Sequence, residues 1–181
     1  MTLAVAALAT LLVSFPAPDN AEGQAAEEYE VKAAFLYNFT KFVEWPPGAF
    51  PDDAAPIVIA VFGPDPFGPT LDDVVAGERA GGRPLVIRRV KNSTDLDGCH
   101  VIFVSPPKAE AFLSLVQSFS HLPMLTVGET DGFADLGGII QFVVRQRKVR
   151  FRINIAAAER AGLKMSSRLL NLAEVVGKAN H

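Results

Sequence analysis

The spacing of apolar residues changes along the chain, and each spacing points to a different element. Over residues 28–43, Val31, Phe35, Leu36, Phe39, Phe42 and Val43 recur at three- and four-residue intervals, the single stripe of a helix. Trp45, Pro46 and Pro47 end it, because proline bars the residue before it from helical geometry and has no amide to donate. Residues 57–62 are wholly apolar between Pro56 and Gly63, the pattern of a central strand covered on both faces. Asp65 and Pro66 predict a cap and a first-turn proline for a helix that uses Phe67, Leu71, Val74 and Val75 and closes at Gly77. Residues 84–90, 100–104 and 124–127 read as further strands, 92–98 as a loop, and 108–119 as a helix with Phe112, Leu115, Val116 and Phe119 on one side.

Past residue 139 the period becomes two. Val149, Phe151, Ile153 and Ile155 alternate with Arg150, Arg152 and Asn154, a half-exposed antiparallel strand. Its partner is residues 139–144, joined through the polar turn 145–148. Asn154 predicts the cap of a short helix ended by Gly162, and Ser166 or Ser167 starts a last helix carrying Leu169, Leu170, Ala173 and Val176. Strands alternating with helices predict an α/β fold, a mostly parallel sheet flanked by helices, with an antiparallel edge hairpin near residues 139–155.

The first residues follow another pattern. Residues 3–15 are apolar except for Thr10 and Ser14, about the length of a signal-peptide core and shorter than the roughly 20 residues that span a bilayer. Gly23, Gln24 and Ala25 offer a cleavage site, although the basic start usual in such peptides is missing. A hydrophobic helix packed on the domain is the other reading. The small, acidic stretch 17–28 favours export, with residues 1–25 as signal peptide and 26–181 as one domain in an oxidising compartment.

Composition narrows the function. In 181 residues, 49% are apolar and 20% charged, the proportions of one globular domain. A net charge of -3 argues against a nucleic-acid partner. The lone cysteine excludes an internal disulfide framework, and three scattered histidines leave little for a metal. The charge is split, however. Residues 26–144 hold eight basic and sixteen acidic side chains, whereas residues 145–181 hold nine basic ones against Glu159 and Glu174. Such a chain suits steering onto a partner or self-association, or else its basic hairpin is solvated and neutralised by neighbours in the fold.

Catalytic patterns fail on inspection. Residues 63–68 sit where a nucleotide loop would, but the Lys and Ser or Thr of a phosphate loop are missing, and Pro64, Pro66 and Pro69 remove amide donors. Cys99 and His100 are neighbours in a strand and point to opposite faces, so they form no nucleophile–base pair. Asp52-Asp53 and Asp72-Asp73 read as solvated charge. No cofactor or metal site and no catalytic set follow. Two features look like recognition. Phe35, Tyr37, Phe39, Phe42, Trp45 and Phe50 exceed what one helix stripe hides; core packing accounts for Phe35, Phe39 and Phe42, while Trp45 and Phe50 beside prolines suit a binding pocket. Arg145, Arg147, Arg150 and Arg152 form a basic face able to grip acidic side chains through forked contacts.

Three segments carry a resemblance. Lys32-Ala-Ala-Phe-Leu-Tyr-Asn-Phe-Thr-Lys-Phe-Val-Glu-Trp-Pro46, residues 57–68, and Val149-Arg-Phe-Arg-Ile-Asn154 with Ala161-Gly-Leu-Lys-Met-Ser-Ser-Arg-Leu-Leu-Asn-Leu-Ala173 resemble the YfiR family of bacterial periplasmic proteins, over roughly residues 28–176. The resemblance implies a non-enzymatic repressor in the periplasm. It would bind the periplasmic part of an inner-membrane signalling protein, a diguanylate cyclase, and lower cyclic-di-GMP without touching that nucleotide. It also implies an outer-membrane lipoprotein that sequesters the repressor, and a homodimer. The family's bridged cysteines have no counterpart, since only Cys99 is present, so internal redox control does not carry over. The alternative is a periplasmic small-molecule sensor or carrier, with its pocket outside the carboxyl ends of the strands near 63–68, Ser105-Pro106 and 128–131.

Overall fold

A computed structural model of the chain describes residues 20–105 and 121–177. Its elements are α1 (Asn20–Phe42), β1 (Val43–Glu44), β2 (Ile57–Phe62), α2 (Thr70–Val75), β3 (Arg79–Ala80), β4 (Arg83–Val90), β5 (Val101–Val104), β6 (Leu125–Gly128), β7 (Ile140–Arg145), β8 (Lys148–Asn154), α3 (Ile155–Arg160), β9 (Lys164–Met165), α4 (Ser167–Leu170) and β10 (Glu174–Val176). A 3-10 turn spans Ser93–Leu96. Eight strands form one sheet in the order β10-β8-β7-β6-β5-β2-β4-β3, and β1 with β9 forms a separate antiparallel pair. The run β7-β6-β5-β2-β4 is parallel throughout. The antiparallel β7–β8 hairpin stands at one end, with the three-residue β10 added parallel outside β8.

The helix expected over 108–119 and the apolar run 3–15 lie outside the described residues. Three expectations change within them. Helix α1 starts at Asn20, not at residue 28, because 24–28 are Gln, Ala and Glu, strong helix formers; the segment 23–25 therefore lies inside it. Asp65 caps a turn rather than a helix: its carboxylate accepts the Phe67 amide at 2.8 Å, and α2 begins later, after Pro69. The last helix stops at Leu170, and Val175 and Val176 leave it for the free edge of β8, where β-branched residues suit an extended backbone.

One face of the sheet buries the stripe of α1. Phe39 is fully buried, and its ring lies 5.2 Å from Phe151 and 5.8 Å from Phe142. Phe35 adds contacts at 5.2 Å to Phe151 and 6.1 Å to Phe142. The opposite face holds Val58, Ala60, Phe62, Val90, Leu96, Ile102, Val104, Met124 and Phe133. Gly128 and Gly138 flank the Phe133 ring, which leaves no room for a Cβ at either position. Polar groups pin the direction of α1. Lys32, 3% exposed, pairs with Glu28 and, at 2.5 Å, with Glu129 just beyond β6, while Tyr29 donates to the same Glu129 at 3.0 Å. The amino-terminal half of α1 therefore lies at the carboxyl ends of the parallel strands, and its exit lies at their amino ends.

Replacing Phe39 with alanine removes a ring enclosed by three others. A loss of about 3–5 kcal/mol is expected in urea unfolding, and an unchanged midpoint would show that α1 does not hold the sheet.

Candidate functional site

The exit of α1 is built by segments far apart in sequence. β1 pairs with β9, Val43 opposite Met165 and Glu44 opposite Lys164, and the Ser166 amide donates to the Phe42 carbonyl at 2.9 Å. Gly162 ends α3 at φ +69°, with its amide donating to Glu159 and the Leu163 amide to Ala158, the doubly bonded helix stop that favours glycine. A Cβ at Gly162 would stand 3.4 Å from Pro46 Cγ, so the Trp45-Pro46-Pro47 turn sits close against that stop. Asp52 then folds the loop back by accepting the amides of Ala54 and Ala55.

Phe50 is the centre of this loop. Its ring stacks on His100 at 4.3 Å and 12°, meets Trp45 edge-on at 6.0 Å, and lies 3.9 Å from the guanidinium carbon of Arg83. Arg83, at the start of β4, donates to the carbonyls of Asp52 at 2.7 Å and Ala55 at 2.9 Å, so one side chain clamps both the ring and the backbone behind it. Trp45, Pro46, Pro47, Phe50 and Arg83 frame a cleft of about 700 Å³, with Lys41, Glu44 and Asp53 as charged lining. The indole Nε1 of Trp45 is buried with no hydrogen-bond partner among the described residues. Trp45 and Phe50 are each half-buried, as residues shared by core and binding surface are.

His100 ties the loop to the sheet. The Val58 amide donates to its Nδ1 at 3.1 Å, and because an amide can only donate, Nδ1 carries no proton. Nε2 carries it and donates to the Ala49 carbonyl at 3.2 Å. The ring is thus neutral, and burial holds its pKa below the usual histidine value, with Arg83 and Arg88 adding to the depression and the Ala49 bond opposing it. Neighbouring Cys99 is buried and accepts from Arg88 at 3.4 Å; burial pushes its thiol pKa up, the environment of a structural cysteine.

The four arginines fall in two groups. Arg152 donates to both oxygens of Asp135, at 2.7 and 3.0 Å, and to Gln141, with Glu174 3.3 Å from its Nε. Its hydrogen bonds hold the Asp135 carboxyl below the usual carboxylate range. Arg145 pairs with Glu174 at 3.0 Å. Arg147 and Arg150 are exposed at the hairpin tip. The turn joining β7 to β8 is two residues long, with Gln146 at φ +52° and Arg147 at φ +59°, a left-handed geometry that costs a non-glycine residue roughly 1–2 kcal/mol. Beside it a groove of about 350 Å³ separates the hairpin from α1, floored by Val31 (44% exposed), Phe35, Val144 (48% exposed) and Val149. The structure brings Trp45 and Phe50 together, but it sets the arginines at the other end of α1, a helix about 35 Å long by its 23 residues.

Among the described residues, the carboxyl ends of the strands at 63–68 and 128–129 are filled by the chain itself; Pro106 lies outside those residues. Arg89 closes the 63–68 turn by donating to Asp65 at 2.6 Å, to the Gly68 carbonyl at 2.8 Å and to Asp72 at 2.5 Å. Glu129 is held by Lys32 and Tyr29, and Phe133 fills the space beside Gly128. A second cavity, of about 290 Å³, lies instead at the amino ends, against Asp97, Cys99, His100 and Met124. Among the described residues no three His, Cys, Asp or Glu side chains are placed to hold a metal, and no helix is long and apolar enough to cross a membrane. Sequence reasoning missed Arg83 and His100 as parts of the site, since nothing in their spacing ties residues 83 and 100 to residue 50.

This sheet, with an aromatic loop at the exit of its first helix, is that of a mixed α/β domain, and the family model described as YfiR/HmsC-like matches residues 29–174. The chain belongs to that YfiR/HmsC-like family, one of periplasmic regulators in diguanylate cyclase signalling. No curated protein matches the sequence. Among solved structures, a Streptococcus pneumonia chain described as an ABC domain in complex with L-Trp has a similar fold, with a TM-score of 0.50 at 13% identity. The match covers 84% of this chain and 60% of that one, so this chain spans 60% of the length of its structural relative.

Exchanging Arg83 for methionine leaves the carbonyls of Asp52 and Ala55 without this donor and uncovers Phe50. A destabilisation of about 1–3 kcal/mol is expected, together with a red shift of Trp45 emission. Wild-type emission and stability would remove Arg83 as the clamp of the loop.

Proposed function

We propose that this protein is a periplasmic regulator that binds and represses an inner-membrane signalling protein, a diguanylate cyclase, through the aromatic loop at the exit of α1. Family membership over residues 29–174 is the observation that carries this reading. The Trp45–Phe50 cleft supports it, being an aromatic surface clamped by Arg83 and His100, the kind of rigid anchor that dominates binding free energy. Trp45 and Phe50 act as apolar anchors. Arg147 and Arg150 act as outer charged contacts that steer encounter. Arg145 and Arg152 contribute by holding the hairpin through Glu174 and Asp135, and by lending it positive charge. Residues 1–25 serve as the export signal, the protein works as a homodimer, and an outer-membrane lipoprotein removes it from the cyclase.

A second reading, a small ligand in the cleft, is favoured by the size of that cleft and the aromatic rings of Trp45 and Phe50 that line it. A thermal-shift screen separates the two, because a specific ligand raises the melting temperature by mass action.

Deleting the gene should raise cellular cyclic-di-GMP, and the protein should retain a cyclase-bearing membrane protein on affinity capture from solubilised membranes. Unchanged nucleotide levels, or an unprocessed chain found in the cytoplasm, would overturn the proposal. With that partner in hand, Trp45→Ala and Phe50→Ala should each weaken binding by about 30-fold or more, the scale of an interface anchor. Arg147→Glu with Arg150→Glu should mainly slow association and flatten its salt dependence; full affinity in the aromatic variants would move the interface elsewhere.

A further inference from the structure

Phe50, the centre of the proposed docking loop, rests on a histidine whose two ring nitrogens both serve the backbone. His100 is 5% exposed, accepts from Val58 on β2 through Nδ1, and donates to Ala49 in the loop through Nε2. We infer that His100 is an acid-sensitive latch: neutral, it ties the aromatic loop to the sheet, and protonated, it releases the loop and loosens the cleft. This rests on the docking reading for its consequence, but the latch itself belongs to the isolated protein.

The chemistry is local. A proton on Nδ1 would set an N–H head-on against the Val58 N–H, so the ring cannot keep that bond. Turning the ring over puts carbon where Val58 and Ala49 need nitrogen. The groups around the ring decide which way it goes. From β4 come Arg83, over Phe50, and Arg88, bonded to Cys99, both hostile to an imidazolium. From the loop come Asp52 and Asp53, set against Arg83 by its bond to the Asp52 carbonyl and a 3.8 Å ion pair to Asp53. From the segment ahead of β5 come Cys99 and Asp97, which line the 290 Å³ cavity beside the ring with Leu122 and Met124; the exposed His121 precedes Leu122. The cavity thus offers the charged ring both room and the Asp97 carboxylate, at the cost of the Phe50 stack and the Ala49 bond.

The sign follows. A released histidine titrates near its ordinary value of 6.5, while the latched one is held lower by burial. The latch is therefore at full strength above about pH 6.5 and weakens as pH falls through and below that value towards the latched pKa.

The chain contains one tryptophan, and it stands 6.0 Å from Phe50, so intrinsic emission reports on this loop. On lowering the pH from about 7.5 to about 5, wild-type protein should show a red shift of Trp45 emission and at least a tenfold (about 1.4 kcal/mol) fall in hydrogen-exchange protection at the hydrogen-bonded loop amides of Ala49, Ala54 and Ala55. The midpoint should coincide with the His100 imidazole titration followed by NMR. His100→Gln can accept from Val58 and donate to Ala49 without titrating, and should abolish the transition; His121→Gln should keep it. An identical transition in His100→Gln, its loss in His121→Gln, or constant wild-type emission until global unfolding would each overturn the latch. Should His100→Gln fail to fold, the NMR midpoint decides alone: loop opening at a pH where the imidazole does not titrate overturns the inference. The docking reading fails separately, if Trp45→Ala binds the partner at full affinity while the wild-type protein keeps its acid transition.

Discussion

Phe39 sits between Phe35 on its own helix and Phe142 and Phe151 on the terminal hairpin, and this contact organises the molecule. Residues about a hundred positions apart share one apolar cluster, so α1 cannot shift without opening the hairpin side of the sheet. Each buried phenylalanine contributes roughly 1.5–3 kcal/mol of transfer free energy. Four such rings outweigh what the Ala- and Glu-rich start of α1 could supply by itself. With α1 held there, its two ends are placed: Lys32 meets Glu129 at the carboxyl ends of the strands, and Trp45 emerges at their amino ends.

That placement separates two surfaces of different chemistry. The aromatic loop is stiff, held by the β1–β9 ladder, the Gly162 helix stop, Arg83 and His100. Stiffness matters for a docking surface, since side chains already ordered lose little entropy on binding. The hairpin tip instead presents exposed cations on a backbone turn that only a constrained geometry keeps left-handed. The same loop that is rigid at neutral pH hangs on one titratable ring, so its stiffness depends on a proton.

Family membership and fold meet at a particular place. The segments that carry the family resemblance, 32–46 and 161–173, are distant in the chain yet adjacent in space, where Val43 and Glu44 pair with Met165 and Lys164 and Pro46 approaches Gly162. Both belong to the structure that presents Trp45. The residues beside Phe50 arrive from other elements, Arg83 from β4 and His100 from the approach to β5.

Local pattern alone determined much of this protein. The apolar run 57–62 became the buried central strand β2, the alternation at 149–153 became β8, and Asn154 and Gly162 bound α3 as cap and stop, because period, capping and glycine preference act over a few residues. Tyr37, off the main stripe, packs at the margin of the core and meets Glu78 and Lys41. Tertiary structure decided what local pattern leaves open. Val176 joined a sheet edge instead of a helix because β8 offered unpaired backbone, and Arg145 and Arg152 were drawn to Glu174 and Asp135. Phe50 gained its histidine and arginine neighbours only when three strand entrances converged. Long-range contacts of this kind leave no periodic trace, since their partners are chosen by which elements the buried core brings side by side.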